Sequence, residues 1–410
     1  LLIKDIVENV DYVGGFAMQG PNFVGAGSTN ENAMITLKKD GISFIRAEGK
    51  QIIIAPDKIS IQKARIAMYL SAEDSITHPG VAFKYDLQKK MVQFVRTRSG
   101  IGQAPFMDTY HQLYIYTPKI LWKIDSDNIY FTYEFGTSQE QKLAIFESTA
   151  FFDLEQYDRL QALSTVHPLV AISKYSYKYD EYILTEGKAA TALGLTVSQA
   201  RSMLLNLSNM GFISYDTENK TVTVNKKLET YVKAKAGIRD YDNIVFKCDF
   251  RPKELSGFSE EQIKDDPYLQ NLQAIYKKRN EDRRIMENFG VMNLSTFDLD
   301  LEAVDNVLIS RARNTIVFPH NGKVKVKDNR DFSFRGWINS GKIEVNAIAA
   351  KFNYDEYKFK LLSTDKSVFR VRPLRREDGL KPIPMVSMLT GISGEILVDD
   401  PENRSGNRDG

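Results

Sequence analysis

Four histidines, one cysteine, a glycine-rich run, an acidic strand and an arginine cluster are the features with the chemistry to engage a ligand. His78, His111, His167 and His320 stand far apart, and none has a second histidine at helical or zinc-finger spacing. His78 and His167 each precede a proline, which predicts turns. Cys248 is the sole cysteine, so an intramolecular disulfide and a multi-thiolate metal site are both excluded. Its place in IVFKCDF, an alternating stretch, reads as a packed strand position rather than a nucleophile with a base beside it. No G-x-S-x-G segment is present. GPNFVGAGST, residues 20–29, spaces its glycines like a phosphate loop. A Walker loop needs Lys and then Ser or Thr after its last glycine, whereas Gly25 is followed by Ala26 and no lysine precedes Ser28. The run reads as a flexible turn.

FDLDLEAVD, residues 297–305, sets Asp298, Asp300 and Glu302 on one strand face. Such a row suits a hard cation, and equally suits the wet side of a half-buried strand, which is the reading carried forward. The turn-rich acidic VDDPENRSG, residues 398–406, is read the same way. FRVRPLRRED gathers Arg370, Arg372, Arg375 and Arg376. The patch fits an acidic partner or a lipid head group; the plainer reading is a solvated strand face followed by a basic turn. No residue is assigned a catalytic, cofactor-binding or metal-ligating role, and the chain is expected not to be an enzyme and to carry no cofactor.

The elements that would position these groups are mostly strands. From Ala33 to about Tyr133 apolar residues alternate with polar ones: Ile35 and Leu37, Ile52 and Ile54, Ile59 and Ile61, Val81, Phe83 and Tyr85. Turn residues separate the runs at Lys39-Asp40-Gly41, Glu48-Gly49-Lys50, Pro56-Asp57 and His78-Pro79-Gly80. No comparable helix interrupts them, which excludes a doubly wound α/β sheet. A sandwich, a barrel and a stacked solenoid all fit; a β-solenoid or β-jellyroll slab, leaning parallel and open at its ends, is favoured, although no strict repeat period is found. The same alternation returns from Phe297 onward.

Between these regions the period changes. LGLTVSQARSMLLNLSNMGFI, residues 193–213, reads as the centre of a winged helix. Helices are predicted at 152–163, 167–177, 186–193 and from Thr196 as N-cap to Gly211, then a hairpin across DTENK and a last helix at 227–236. In the long helix Val197, Ala200, Met203, Leu204, Leu207 and Met210 form one apolar face. Ser198, Gln199, Arg201, Ser202, Asn206 and Asn209 form the opposite face, the candidate contact for nucleic acid or a protein partner. Strong specific DNA binding neutralises about six to ten phosphates. Residues 181–225 offer Lys188, Arg201 and Lys220 against Glu181, Glu186, Asp216 and Glu218, while Lys226, Lys227, Lys233 and Lys235 on the last helix add some positive charge. Nucleic acid is therefore disfavoured as a partner.

Four regions result: a β-rich slab at 1–150, a winged-helix-like α+β domain at 151–240, a strand plus charged helical connector at 241–295, and a second β-rich slab at 296–410. The 410 residues are 42% hydrophobic and 26% charged with net charge +2, a globular composition without a global field toward polyanions. No run of about 18 apolar residues exists to span a membrane as a helix.

PNFVGAGSTNENAMITLKKDGISF, the helical unit ending GFISYDTENKTVTV, KDNRDFSFRGWINSGKIEV and SGEILVDDPENRSG occur in this order. In them the chain resembles a family of very long, uncharacterised, strand-rich proteins of Gram-negative cell envelopes. The similarity covers most of the chain, with residues 259–288 standing apart as an insertion. It implies export beyond the inner membrane, a periplasmic or outer-membrane-associated location, and a structural or assembly task with other envelope proteins. It implies no reaction and no site residues. Two alternatives are kept: an apolar β-groove for lipid transport across the periplasm, and a winged-helix nucleic-acid-binding regulator.

Overall fold

The computed structural model describes residues 1–27, 31–97, 100–133, 142–161, 166–250, 288–371, 383–385 and 389–407, and the single positions 262, 264, 267 and 270. The charged connector expected at 259–288 lies almost wholly outside the described residues, as do Arg372, Arg375 and Arg376.

The molecule is mainly β. Among the described residues, twenty-five strands join one antiparallel sheet and three more form a small second sheet. In the first part these are β1 (Leu2–Val7), β2 (Val10–Val13), β3 (Gly15–Gln19), β4 (Asn22–Ala26), β5 (Ala33–Lys39), β6 (Ile42–Gly49), β7 (Gln51–Ile54), β8 (Lys58–Tyr69), β9 (Ser75–Asp86), β10 (Met91–Val95), β11 (Phe106–Asp108), β12 (Leu113–Tyr116), β13 (Lys119–Lys123), β14 (Asn128–Thr132) and β15 (Leu143–Ser148). The pairings fall into two runs. One is β1-β2-β5-β6-β8-β9-β11-β12-β15; the other is β3-β4-β7-β8-β9-β10-β13-β14. The long strands β8 and β9 belong to both, because each breaks register at mid-length, between Ile61 and Ala64 in β8, and its two halves pair with different neighbours. Such bulges bend strands sharply. Gly80 sits in the bend of β9, where a Cβ would meet Ile101 Cγ2 at 2.5 Å. The sheet is thus folded over on itself into two layers.

Apolar residues of both layers meet in one core. Phe44 of one layer stands 4.6 Å from Trp122 of the other, and Phe131 stands 5.7 Å from Phe146, both edge-on. Side chains from the two layers fill the space between them, as in a sandwich.

A helical insert follows β15. It comprises α1 (Leu154–Gln161), α2 (Pro168–Tyr179), β16 (Ile183–Thr185), α3 (Glu186–Leu193), α4 (Val197–Asn209), β17 (Ile213–Asp216), β18 (Thr221–Val224) and α5 (Lys226–Lys235). Its strands form the small sheet in the order β16-β18-β17. Thr185 and Thr196 cap α3 and α4, the latter as a full capping box with Gln199, and Gly194 ends α3 with φ +66°. Ala200, Leu204 and Leu207 of α4 enter a separate core with Leu169, Phe212 and Tyr231. Val197, expected on that face, is exposed.

After the insert come β19 (Val245–Asp249), β20 (Gly290–Asn293), β21 (Leu299–Leu301), β22 (Val307–Ser310), β23 (Thr315–Val326), β24 (Phe332–Ser340), β25 (Ile343–Asn353), β26 (Lys358–Val371), β27 (Ile383–Pro384) and β28 (Gly394–Leu397). β14 pairs with β20 and β15 with β19, so the strand-rich parts on either side of the insert share one sheet. β23, β24 and β25 break register at mid-length as β8 does, and Gly336 (φ +156°) lies where a Cβ would run into the Phe318 carbonyl.

Three sequence readings are corrected. The slab does not lean parallel: every ladder between these strands is antiparallel, and the turns joining neighbours are too short for a parallel crossover. Asp40 and Gly41, both at positive φ, form one such two-residue hairpin turn. His78-Pro79-Gly80 is no turn between strands but the bend inside β9. Within GPNFVGAGST, residues 22–26 form β4, held between β3 and β7, with Tyr12 packed where a Cβ on Gly25 would stand.

Candidate functional site

The insert lies on the outer face of one layer of the slab. Lys227 of α5, 2% exposed, points into that junction and pairs with Glu147 of β15 at 2.5 Å. Its ammonium donates to Tyr116 Oη at 2.8 Å and sits 5.2–5.7 Å from the ring centroids of Phe212, Tyr116, Tyr114 and Tyr231. The cage is built half from the slab and half from the insert, and cation–π attraction strengthens as water is removed. Burial pushes the Glu147 carboxyl up, and Lys227 pulls back only part of the shift. Burial works against the Lys227 ammonium, yet Glu147, with Tyr231 and Tyr114, outweighs it and the net shift is upward.

The tip of the β17–β18 hairpin is also tied to the slab. Glu218 pairs with Lys63, and Asn219 accepts from Lys50 at 2.6 Å. Between this tip, the C-terminal half of α4 and the slab runs a cleft of about 360 Å³, lined by Lys63, Ile101, Gln103, Leu205, Asn209 and Asp216 among others.

Of the six candidate contact residues on α4, Ser198, Gln199, Arg201, Ser202 and Asn206 are exposed, and Asn209 turns toward the cleft. Gln199 is engaged in the capping box. Arg201 forms a two-point pair with Glu186 at 2.7 and 3.3 Å, and Tyr215 donates to the same carboxylate at 2.5 Å. Those bonds hold Glu186 below the usual carboxylate range. Lys188 pairs with Glu181, Lys233 with Glu229 and Lys235 with Asp158. Counting Lys227 among solvent-facing cations is corrected, because it is buried.

The other features are absorbed by the fold. Asp298, Asp300 and Glu302 face a matching lysine row on β23 and just past its end: Lys323 reaches Glu302 at 3.1 Å, Lys325 reaches Asp300 at 2.8 Å, and Lys327 reaches Asp298 at 3.1 Å. No group of three or more His, Cys, Asp or Glu among the described residues is placed to hold a metal ion. Arg370 pairs with Glu344 at 2.7 Å. Cys248 is buried in β19, and burial pushes its thiol far up. In the C-terminal loop Asp399 holds Arg313, while Asp240 accepts from the Arg404 and Ser405 amides at 2.6 and 3.2 Å. No helix among the described residues is long and apolar enough to cross a membrane.

Two buried polar clusters escape sequence reading. Asp242, fully buried between insert and slab, accepts from Ser148 Oγ at 2.6 Å, Tyr354 Oη at 2.8 Å and the Ile244 amide at 3.0 Å. Arg330 lies 3.8 Å from the same carboxylate and stacks 3.6 Å from the Tyr354 ring centroid, with Arg404 at 4.4 Å. Ser148 and Tyr354 lie 94 and 112 positions from Asp242 in the chain, and no spacing signal can link them. Lys227 did leave a trace: it shares a helix face with Tyr231 and Ala234, both buried.

His111 and Asp108 form the second cluster, both fully buried. Nδ1 faces Asp108 Oδ2 at 2.7 Å and Nε2 faces the Phe297 carbonyl at 2.8 Å. With an acceptor at each nitrogen the imidazolium can donate twice. Burial opposes the charge, but Asp108 and then the Phe297 carbonyl outweigh it, and the pKa is raised. A group raised on folding stabilises fully below its unfolded value, about 6.5, and loses that contribution as pH climbs through the folded value. The urea midpoint of the wild type is therefore expected to exceed that of His111→Gln most at pH 5–6, with the gap narrowing above neutrality. A pH-independent gap would contradict this. His78 is the opposite case: burial lowers it to about 3, and it stays neutral, bonded to the Ala104 carbonyl and the Gly80 amide.

No protein-family model, curated protein or solved structure matches the chain.

Proposed function

We propose that this chain is a non-catalytic structural or assembly segment of a large Gram-negative cell-envelope protein, a folded-over β slab carrying a rigidly docked helical insert that contacts other envelope proteins. The observation that carries the reading is the locking of the insert to the slab through Lys227, Glu147 and the Tyr116 hydroxyl. The element order of the insert supports reading it as winged-helix-like, a fold used here for packing. The two-layer slab supports the jellyroll-like form of the slab reading over a parallel solenoid.

The regulator alternative draws less support. A DNA-reading winged helix needs free cations and a free wing. Among the described residues of the insert, Lys188, Arg201, Lys227, Lys233 and Lys235 are paired, and the wing tip bonds to the slab. The lipid-groove alternative also draws less support, since apolar side chains between the layers, such as Ile35, Ile66 and Phe131, are buried against one another.

The test is cross-linking of the native protein in cells, followed by fractionation and identification of its neighbours. Envelope proteins in the periplasmic or outer-membrane fraction are expected. A cytosolic location with a DNA shift that falls steeply with salt would overturn the proposal, as would stoichiometric copurified lipid.

A further inference from the structure

We propose that β3 is the receiving edge of a strand-addition site, whose occupant is an extended segment of another polypeptide with apolar, uncharged side chains at its inward positions. Among the described residues the only strand that pairs with β3 is β4; the Tyr12 hydroxyl also donates to the Gly15 carbonyl, at the start of β3. The hairpin closes between Gln19 and Asn22 through Gly20, at φ +60°. In a two-residue hairpin the flanking pair is hydrogen-bonded and the pattern alternates from there. The amides of Gln19, Ala17 and Gly15 therefore point at β4, and those of Phe16 and Met18 point away from it, toward the open edge.

The side chains at this edge belong to the inner face. Phe16 is in register with Gly25 and then Ile52, and Met18 with Phe23 and then Ile54 and Ile59. The three isoleucines are core residues. Phe16, Met18 and Phe23 are 50%, 66% and 39% exposed. The apolar row of the core thus runs out to the end of the layer and lies uncovered there.

Edge strands are ordinarily blunted by charge, proline or a bulge. β3 has none of these, and no charged residue stands between Asp11 and Glu31. The other ends are different. β1, at the edge of the opposite layer, carries Lys4 and Asp5. β28, at the far end of the same layer, carries Glu395, ion-paired with Lys358 at 3.0 Å. Outward amides and carbonyls in a row, beside exposed inner-face side chains, are matched by a strand and not by a helix. The inward neighbours of Phe16 and Met18 must be apolar, since they would enter the core row.

The probe is a fluorescein-labelled ten-residue peptide of alternating valine and threonine with lysine at each end, titrated against the full chain by anisotropy. Saturable binding is expected. Met18→Pro removes an outward amide and leaves the β4 ladder intact; Phe16→Glu puts a charge in the inward row. Each is expected to weaken binding at least tenfold while the circular-dichroism melt stays unchanged. Absence of saturable binding by the wild type, or equal binding by both variants, would overturn the proposal. A wild-type dimer in sedimentation that Met18→Pro dissolves would also overturn it, by giving the edge to a second copy.

Discussion

Lys227→Met is expected to destabilise the protein by about 3–5 kcal/mol, the cost of leaving a buried charge without its partner. The lysine side chain is 3% exposed and that of Glu147 10%, so water cannot take over from either. The substitution would strand the Glu147 carboxylate and leave the Tyr116 hydroxyl without the Lys227 ammonium, although Tyr116 keeps its own donation to the Met210 carbonyl at 2.9 Å. Four rings would also lose the cation they surround. The double variant Lys227→Met with Glu147→Leu separates charge from packing. Replacing both members of a buried pair by apolar residues of similar size is often neutral or stabilising. The double variant is thus expected to regain most or all of the lost stability. Urea unfolding of the wild type, the single and the double checks this. A single-variant cost below about 1 kcal/mol, typical of exposed pairs, would mean that the junction is wet and the insert loosely attached.

Asp242→Ala is expected to cost a similar amount, about 3–5 kcal/mol. One carboxylate there serves Ser148, Tyr354 and the Ile244 backbone, with Arg330 alongside at 3.8 Å and only 8% exposed. Alanine would leave those donors without their shared acceptor in a place water does not reach, and unmade buried hydrogen bonds cost more than made ones contribute. Tyr354→Phe, which removes one donor and keeps the ring between Arg330 and Arg404, is expected to cost about 1 kcal/mol. Because Asp242 joins the end of the insert to the slab, limited proteolysis of Asp242→Ala should release the insert earlier than in the wild type. Equal melting temperatures and equal cleavage rates for Asp242→Ala and the wild type would refute this.

The insert was largely legible from residue order. Thr196, Gly194 and Gly211 bound α4, and DTENK marks the hairpin, because capping and turn chemistry act over a few residues. The strands from Ala33 to Thr132 were legible for a similar reason: alternation is a local property of a half-buried strand. Their direction was not. The bends that turn one long strand into parts of two layers need a bulge, and at His78-Pro79-Gly80 the residues of a bulge are also those of a turn. The acidic row at 298–302 was read rightly as a wet strand face, but its lysine partners on and just past β23 come from a ladder that spacing does not reveal.

Residue order by itself determined most strands from Ala33 to Thr132, the helices of the insert, that the described residues include no apolar membrane-crossing helix, and that Cys248 is a packed strand position. These depend on periodicity, composition and near neighbours. Tertiary structure alone decided that the strands on both sides of the insert form one sheet, that Lys227 is a buried pin rather than a surface cation, and that Asp242 gathers Ser148, Tyr354 and Arg330. The reason is that burial and hydrogen-bond partners are set by segments about eighty or more residues apart, and the energy of a charge depends on what surrounds it in space.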